Sequence, residues 1–456
     1  MSSRSTKRIL HSAALLLAFF LLAGCTATPP SSQNPSPSSG PGALPVLQEL
    51  TVCTADQCYI QSRIDSSDDR YLTKIDLYSG RQQVVCAKPG CLHKGKGCWG
   101  WVRPNHAAAP RLLRILTDGE QLYWIWESVD NGTPGIQPYS AVFVSGLEGA
   151  PAPPEEWLVQ APNYCGAYQQ DNDCIESQWF TDGQNLWVFQ HCEPLDAAGH
   201  RCFPASLCRL VPNEDPDGPP YRAECVWRQD IGAYGEYLGL LNGKILLRWS
   251  LRADGTPARR EDGYAATRQE LRLLSPDGTL SAALQQGALG DTRAAALLDG
   301  VWYTVPAGSD HLQATDLCSG HTRTVCALPL ESDADLIDLL TQYDGRLVVS
   351  IARENREDGY VVNTATGTLT PMQATWSKNG ATPRLPILYA QSGARGLLMV
   401  GTRDRMIRAM GPDGSTDTFD SPIFLWAVTD VGDWLDGNQN WQPCTLLIPD
   451  ADLSTY

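Results

Sequence analysis

The sequence predicts an all-β fold, a seven-bladed β-propeller, on three observations. Helical periodicity is nearly absent beyond the N-terminal segment, a tight turn recurs in seven places, and a second, longer turn recurs at fixed spacing. Short apolar runs rich in Val, Leu, Tyr and Trp alternate with Asp-Gly, Asn-Gly and Ser-Gly, the pattern of a meandering chain of strands.

The tight turn comes first in each unit. Asp118-Gly119 precedes Gln121-Leu-Tyr-Trp-Ile-Trp, and Asp182-Gly183 precedes Asn185-Leu-Trp-Val-Phe. Asn242-Gly243, Asp299-Gly300 and Asp344-Gly345 stand before similar runs, with degenerate copies at Asp56 and Arg395-Gly396. Successive turns lie between 45 and 64 residues apart. The longer turn is Asp76-Leu-Tyr-Ser-Gly80 running on to Val85-Cys86, matched by Asp316-Leu-Cys-Ser-Gly320 running on to Val325-Cys326. Asn363-Thr-Ala-Thr-Gly367 and Ser275-Pro-Asp-Gly278 are weaker versions. Each unit therefore reads as two hairpins, a four-stranded sheet repeated with loop insertions. A lone sheet of this kind exposes two apolar faces, and radial packing buries both. Six or eight blades are the neighbouring alternatives, since Val428-Thr-Asp430 mimics the start of a unit. Pro422–Val428 or Thr445–Ile448 is the candidate closing strand.

Composition bounds the function. The chain of 456 residues is 43% hydrophobic and 19% charged, with net charge −16 and pI about 4.8. An acidic surface repels phosphate backbones, so no nucleic-acid partner is expected. The single long apolar run is N-terminal, which excludes a multi-span transporter or channel.

That run belongs to an export signal over residues 1–24. Arg4, Lys7 and Arg8 give the positive start, Ala13 to Leu22 the apolar stretch, and Ala23-Gly24 the small residues before Cys25. Leu22-Ala23-Gly24-Cys25 resembles a bacterial lipobox, which implies acylation of Cys25 and anchorage to a bacterial membrane. Residues 25–48 read as the lipidated cysteine and a Pro/Ser/Gly-rich tether, and 49–456 as the propeller, displayed outside the cytoplasm.

Fifteen cysteines suit an oxidising compartment. Hairpin spacing proposes the disulfide candidates Cys53 with Cys58, Cys165 with Cys174, Cys192 with Cys202, Cys208 with Cys225, and Cys318 with Cys326. Cys86, Cys91, Cys98 and Cys444 remain. Three of these lie in Cys86-Ala-Lys-Pro-Gly-Cys91-Leu-His93-Lys-Gly-Lys-Gly-Cys98, and two readings compete. With His93 they form a Cys3His set suited to structural zinc. Alternatively Cys91–Cys98 and Cys86–Cys444 are disulfides, and parity favours these because zinc would strand Cys444. Lys88, Lys94 and Lys96 would help to keep a thiolate deprotonated.

The lipobox, the tether, this first-blade motif and the tail Trp426-Ala-Val-Thr-Asp-Val-Gly-Asp-Trp434 together resemble uncharacterised bacterial surface lipoproteins with a β-propeller body. The resemblance implies a surface-anchored propeller and supplies no catalytic residue. Trp124, Trp126, Trp187 and Trp302 are expected between blades, whereas Trp99, Trp101 and Trp157 are candidate loop platforms for a sugar ring or a protein. Ser275–Thr279 reads as an ordinary β-turn. The functional expectation is a non-catalytic binding or scaffold propeller for a protein or glycan at the cell surface. The alternative is a glycan hydrolase or lyase acting in the central funnel, by fold analogy.

Overall fold

Consecutive strands pair antiparallel into seven sheets, and each sheet is one sequence unit. The computed structural model describes residues 51–62, 70–102, 111–127, 140–149, 159–161, 175–192, 204–212, 214–215, 221–230, 235–256, 268–288, 291–353, 356–372, 386–410 and 416–446. The export signal, Cys25 and the tether lie outside the described residues, as do Cys165, Cys174, Cys202, Trp157 and the side chain of Cys192.

Blade 1 holds β1 (Thr51–Cys53), β2 (Gln57–Ser62), β3 (Arg70–Asp76), β4 (Arg81–Val84) and the short β5 (Trp101–Val102). Blade 2 holds β6 (Arg111–Thr117), β7 (Gln121–Glu127), β8 (Ser140–Gly146) and β9 (Val159–Ala161). Blade 3 holds β10 (Ile175–Thr181), β11 (Leu186–Cys192), β12 (Pro204–Pro212) and β13 (Tyr221–Asp230). Blade 4 runs through β14 (Gly235–Leu241), β15 (Lys244–Leu251), β16 (Arg268–Leu274) and β17 (Gln285–Ala288). Blade 5 is β18 (Thr292–Leu298), β19 (Val301–Pro306), β20 (His311–Thr315) and β21 (Thr322–Ala327). Blade 6 is β22 (Leu336–Tyr343), β23 (Arg346–Arg353), β24 (Arg356–Asn363) and β25 (Leu369–Met372). Blade 7 is β26 (Ile387–Ser392), β27 (Arg395–Met410), β28 (Thr416–Asp430) and β29 (Gln442–Pro443), followed by β30 (Thr445–Leu446). The first strand of blade 1 touches the first strands of both blade 2 and blade 7, so the sheets close a ring. The fold is a seven-bladed β-propeller.

Six of the seven expected turns join the first and second strands of a blade; in blade 7 the turn falls at Gly393-Ala394, and Arg395-Gly396 already lie in β27, paired with Ser392 and Gln391. In blades 4, 5 and 6 the turn is two residues long with both in the left-handed region: Asn242 and Gly243 at φ 52° and 71°, Asp299 and Gly300 at 47° and 74°, Asp344 and Gly345 at 48° and 70°. That is the type I′ geometry whose twist matches a hairpin. Blades 2 and 3 use the aspartate differently. Asp118 Oδ1 accepts from the N–H groups of Glu120 and Gln121, and Asp182 Oδ1 from those of Gln184 and Asn185. The longer turn joins the third and fourth strands: the side chains of Asp76, Asp316 and Asn363 each accept from backbone N–H groups two and three residues on. Ser275–Thr279 is such a connection too, as expected for a plain turn.

Among the described residues seven buried layers each fill one blade interface, and an eighth cluster lies on the outer edge of blade 1. Alternation along a single strand shows why: Leu122, Trp124 and Trp126 of β7 pack toward blade 1, while Tyr123 and Ile125 pack toward blade 3. Trp124, Trp126, Trp187 and Trp302 all lie in these layers, buried. Both faces of a strand are thus buried, the condition that radial packing was expected to meet.

A glycine seats each of four interfaces. A Cβ on Gly278 would lie 2.6 Å from Val226 O, and one on Gly367 2.3 Å from Val325 O. Likewise Gly149 would meet Ala87 N at 2.8 Å, and Gly80 would meet Pro443 O at 3.2 Å. In each case an outer turn of one blade rests on the outer strand of the blade before it. The seventh interface, where chain ends meet, is closed by this same contact.

Closure uses Thr445–Leu446, which pairs parallel with Arg81–Gln82 on the outer edge of blade 1. The other candidate, Pro422–Val428, lies within β28, the third strand of blade 7. No eighth blade begins at Val428. Asp430 instead caps helix α1 (Val431–Leu435), its side chain accepting from the N–H groups of Gly432 and Asp433. Among the described residues no helix is long and apolar enough to cross a membrane.

Candidate metal centre

The outer strand of blade 1 is split. β4 pairs with Thr73–Ile75 and β5 with Arg70–Tyr71, so the two continue one another along β3. Leu72 is the junction, accepting from Val85 N and donating to Gly100 O, both at 2.9 Å. The residues between them are expelled as a loop. Gly100 is required at its neck, since a Cβ there would lie 2.6 Å from Val85 O. The signal for it was visible as a glycine between two tryptophans, but only the split strand gives it meaning.

The loop folds back on itself in three left-handed residues, Gly90 at φ 67°, His93 at 53° and Gly95 at 53°. His93 is the one without glycine's freedom, and its backbone is held there at a cost of order 1 kcal/mol. A turn from Cys91 N to Lys88 O and a 3-10 turn over Gly95–Gly97 complete the path. Lys88 Nζ ties across to Gly97 O at 2.7 Å, and Gly95 N donates to the Tyr71 hydroxyl of β3 at 2.7 Å.

This path gathers Cys86, Cys91, His93 and Cys98, whose ligand atoms all lie within 4.8 Å of one another. His93 Nδ1 is 3.4 Å from Cys98 Sγ. Each sulfur also receives the N–H of the residue two positions on: Lys88 to Cys86, His93 to Cys91 at 3.4 Å, and Gly100 to Cys98. Trp99 N–H gives Cys86 a second bond. Such donors stabilise negative sulfur, the form that binds metal.

The thiols share their protons unequally. A hydrogen bond from the Cys98 thiol holds Cys86 down at about 4, with the Lys88 and Trp99 N–H groups adding to it against burial. Cys98, giving that bond, buried, and facing the charge on Cys86, moves far upward. One thiolate is therefore accommodated readily and a second is opposed. A divalent cation among the four ligands removes that opposition, and three thiolates with one imidazole are the donor set of a closed tetrahedral zinc site. The residues present fit zinc.

The surroundings tie this loop to two blades. Cys98 packs with Tyr71, Val84 and Trp101, and Trp99 packs onto the layer between blades 1 and 2. Gly149 of blade 2 rests on the backbone of Cys86 and Ala87, while Glu148 pairs with Lys74 at 2.5 Å. Trp101 is buried in these contacts, against the loop platform expected of it, and Trp99 is half-buried.

The disulfide expectations divide here. No disulfide joins Cys53, Cys58, Cys86, Cys91, Cys98, Cys208, Cys225, Cys318, Cys326 or Cys444. Cys86 and Cys444 lie in different packing clusters, whereas Cys91 and Cys98 share the four-ligand group with Cys86 and His93. Cys53 stands opposite Cys58 and Cys208 opposite Cys225 in register, without a bond. Cys318 and Cys326 are not brought together: Cys318 sits in the turn, near the amide of Asn242, and Cys326 faces Leu312 at the far end of β21.

One other charged group is conspicuous. Arg353, its side chain 8% exposed, lies among Glu331, Asp335 and Asp358, with Arg356 on Glu331 and Asp358. Each acid there is answered by a guanidinium, the arrangement of a loop clasp.

No family model matches the chain, and no curated protein matches it. Among solved structures it is similar to an acylaminoacyl peptidase of Pyrococcus horikoshii, at 11% identity and TM-score 0.39, over 83% of this chain and 50% of that one. A post-proline cleaving enzyme of Rickettsia typhi matches at 9% identity and TM-score 0.42, over 84% and 49%. A Lactobacillus plantarum protein matches at 13% and 0.36, over 81% and 96%. The chain spans about half the length of the two peptidases.

Proposed function

We propose that this chain is a non-catalytic scaffold or binding propeller, held at a bacterial membrane through Cys25, with its first blade stapled by structural zinc. The closed Cys86, Cys91, His93 and Cys98 set carries the reading. Four protein ligands leave zinc no open position for substrate, which separates a structural site from a catalytic one. Zinc bound there would let three thiolates coexist. It would also fix the neck at Gly100 and hold Trp99 on the interface with blade 2. The acyl anchor would present the loops of the ring to a protein or glycan at the surface.

Metal analysis of the purified chain tests the centre: one zinc per chain is expected, lost in Cys91→Ser. A metal-free chain with unchanged thermal stability in zinc and in chelator would refute it. Anchorage is read separately by membrane fractionation. The wild type should partition with membranes and Cys25→Ala should not; equal partitioning would remove the anchor from the proposal.

A further inference from the structure

Three other cysteines meet at the seam where blade 7 closes on blade 1. Cys53 and Cys58 stand opposite each other on the first hairpin, beside the bond from Thr54 N to Gln57 O at 2.9 Å. Both are buried in the layer facing blade 7, with Ile60, Ile75, Leu77, Tyr389 and Val428. Cys444 enters that layer from the other side, on the link between β29 and β30, its N–H bonded to Trp426 O at 2.9 Å. Cys58 is the middle member: its thiol is hydrogen-bonded with Cys53 and feels the charge of Cys444. These sulfurs do not converge as the zinc ligands do, so their chemistry is pairwise.

The seam is also where the two ends of the ring meet without a continuous chain between them. No strand of blade 7 comes from the N-terminal side of the chain, and among the described residues β30 pairs with blade 1 through Thr445 and Leu446. Beyond packing, it is held by Thr445 N to Gly80 O, Gln442 Nε2 to Ser79 O, and Arg395 to Leu77 O.

We propose that this seam is a disulfide-forming site that locks the ring covalently through Cys58 and Cys444, with Cys53 as the first partner of Cys58. An external disulfide oxidant takes two electrons and two protons from the facing pair; the Cys53–Cys58 bond forms and the oxidant leaves as two thiols. The Cys444 thiolate then attacks Cys58 Sγ. The Cys58–Cys444 bond forms, the Cys53–Cys58 bond breaks, and Cys53 leaves as a thiolate that takes up the proton lost by Cys444. The exchange is redox-neutral. Burial raises Cys58 and pushes Cys444 up to about 12, so the attacking thiolate is scarce at neutral pH and the exchange quickens as pH rises.

The two bonds differ greatly in the loop they close. Cys53–Cys58 closes one hairpin, whereas Cys58–Cys444 closes nearly the whole ring and makes the denatured chain more compact. The zinc-loaded full-length chain in detergent is treated with glutathione disulfide, then followed by non-reducing electrophoresis and by mass spectrometry of a non-reduced digest. A faster-migrating band, reversed by dithiothreitol, with a Cys58–Cys444 linked peptide is expected. Cys444→Ser should stop at the Cys53–Cys58 peptide without the mobility change, and Cys53→Ser should still give Cys58–Cys444. A wild type showing only the Cys53–Cys58 peptide, or only free thiols at these positions, overturns the proposal. So does the same faster band in Cys444→Ser. None of these readouts depends on membrane anchorage or on the metal content of the other cluster.

Discussion

Blades 1 and 5 carry the same signature and put it to different ends. Asp76 to Cys86 and Asp316 to Cys326 share residue types and spacing, and both fold into the same turn, with Gly80 and Gly320 at φ 68° and 71°. In blade 5 the strand simply continues. Cys326 stays on β21 opposite Leu312, packs against the layer facing blade 6, and has its thiol raised by burial. In blade 1 the strand breaks after Val85 and expels a loop, so that Cys86 meets two more thiols and an imidazole and is driven the opposite way. A cysteine at one repeat position is core filler in one blade and a metal ligand candidate in another. What the local chain does next decides between them.

The largest test of this contrast is to remove the thiols in turn. Cys98→Ser should abolish zinc binding and lower stability sharply. A ligand that binds only the native state at a thousand times its Kd is worth about 4 kcal/mol. Cys326→Ser should leave the metal content at wild-type level and cost about 1 kcal/mol, read by thermal melting and metal analysis together. Equal effects from the two substitutions would erase the distinction.

Glycine replacements sharpen it next. Gly100→Ala and Gly367→Ala both drive a Cβ into a carbonyl, at 2.6 and 2.3 Å, and both should cost roughly 1–3 kcal/mol. Only Gly100→Ala is expected to weaken zinc affinity, since only that glycine forms the neck of the loop; titration with a chromogenic chelator would measure it.

The tight turns offer a smaller contrast of the same kind. Burial pulls the Asp182 carboxyl upward, but bonds from Trp187 Nε1, Asn185 N and Gln184 N outweigh it and hold the group below its ordinary range. Its stabilisation is therefore complete above the unfolded pKa and is lost as pH falls through the lower folded value. Asp182→Asn should cost about 1–2 kcal/mol at neutral pH, and the difference from wild type should shrink below about pH 4.

Asp299 occupies the equivalent turn of blade 5 and behaves oppositely. Burial raises its carboxyl, so the ionised form is a penalty at neutral pH that is relieved as pH falls through the folded pKa. Asp299→Asn should stabilise by less than about 1 kcal/mol at pH 7, an advantage that fades on acidification. Denaturant melts across pH 3–7 would check both signs; two curves moving together would show that the turns are equivalent after all.

The repeat was legible because hairpin turns are local. Asn or Asp before Gly favours a turn from the two residues alone, so Asn242-Gly243 and Asp344-Gly345 announce a hairpin without help from the rest of the chain. Period-2 alternation in Leu122–Trp126 likewise reports two buried faces. The candidate ligands were legible as well, because Cys86, Cys91, His93 and Cys98 are close in sequence. Their use was not, since disulfides and zinc ask for the same residues at the same spacing.

How the four groups are brought together belongs to the tertiary structure. Only the split of the outer strand at Leu72 folds the loop so that all three sulfurs turn inward, each with a backbone N–H. Only ring closure places Cys444, distant in sequence, beside Cys53 and Cys58. Strand count, turns and buried faces follow from interactions a few residues long and were set by the sequence alone. The partner of each cysteine depends on where the ends of a closed ring meet, which no local pattern encodes.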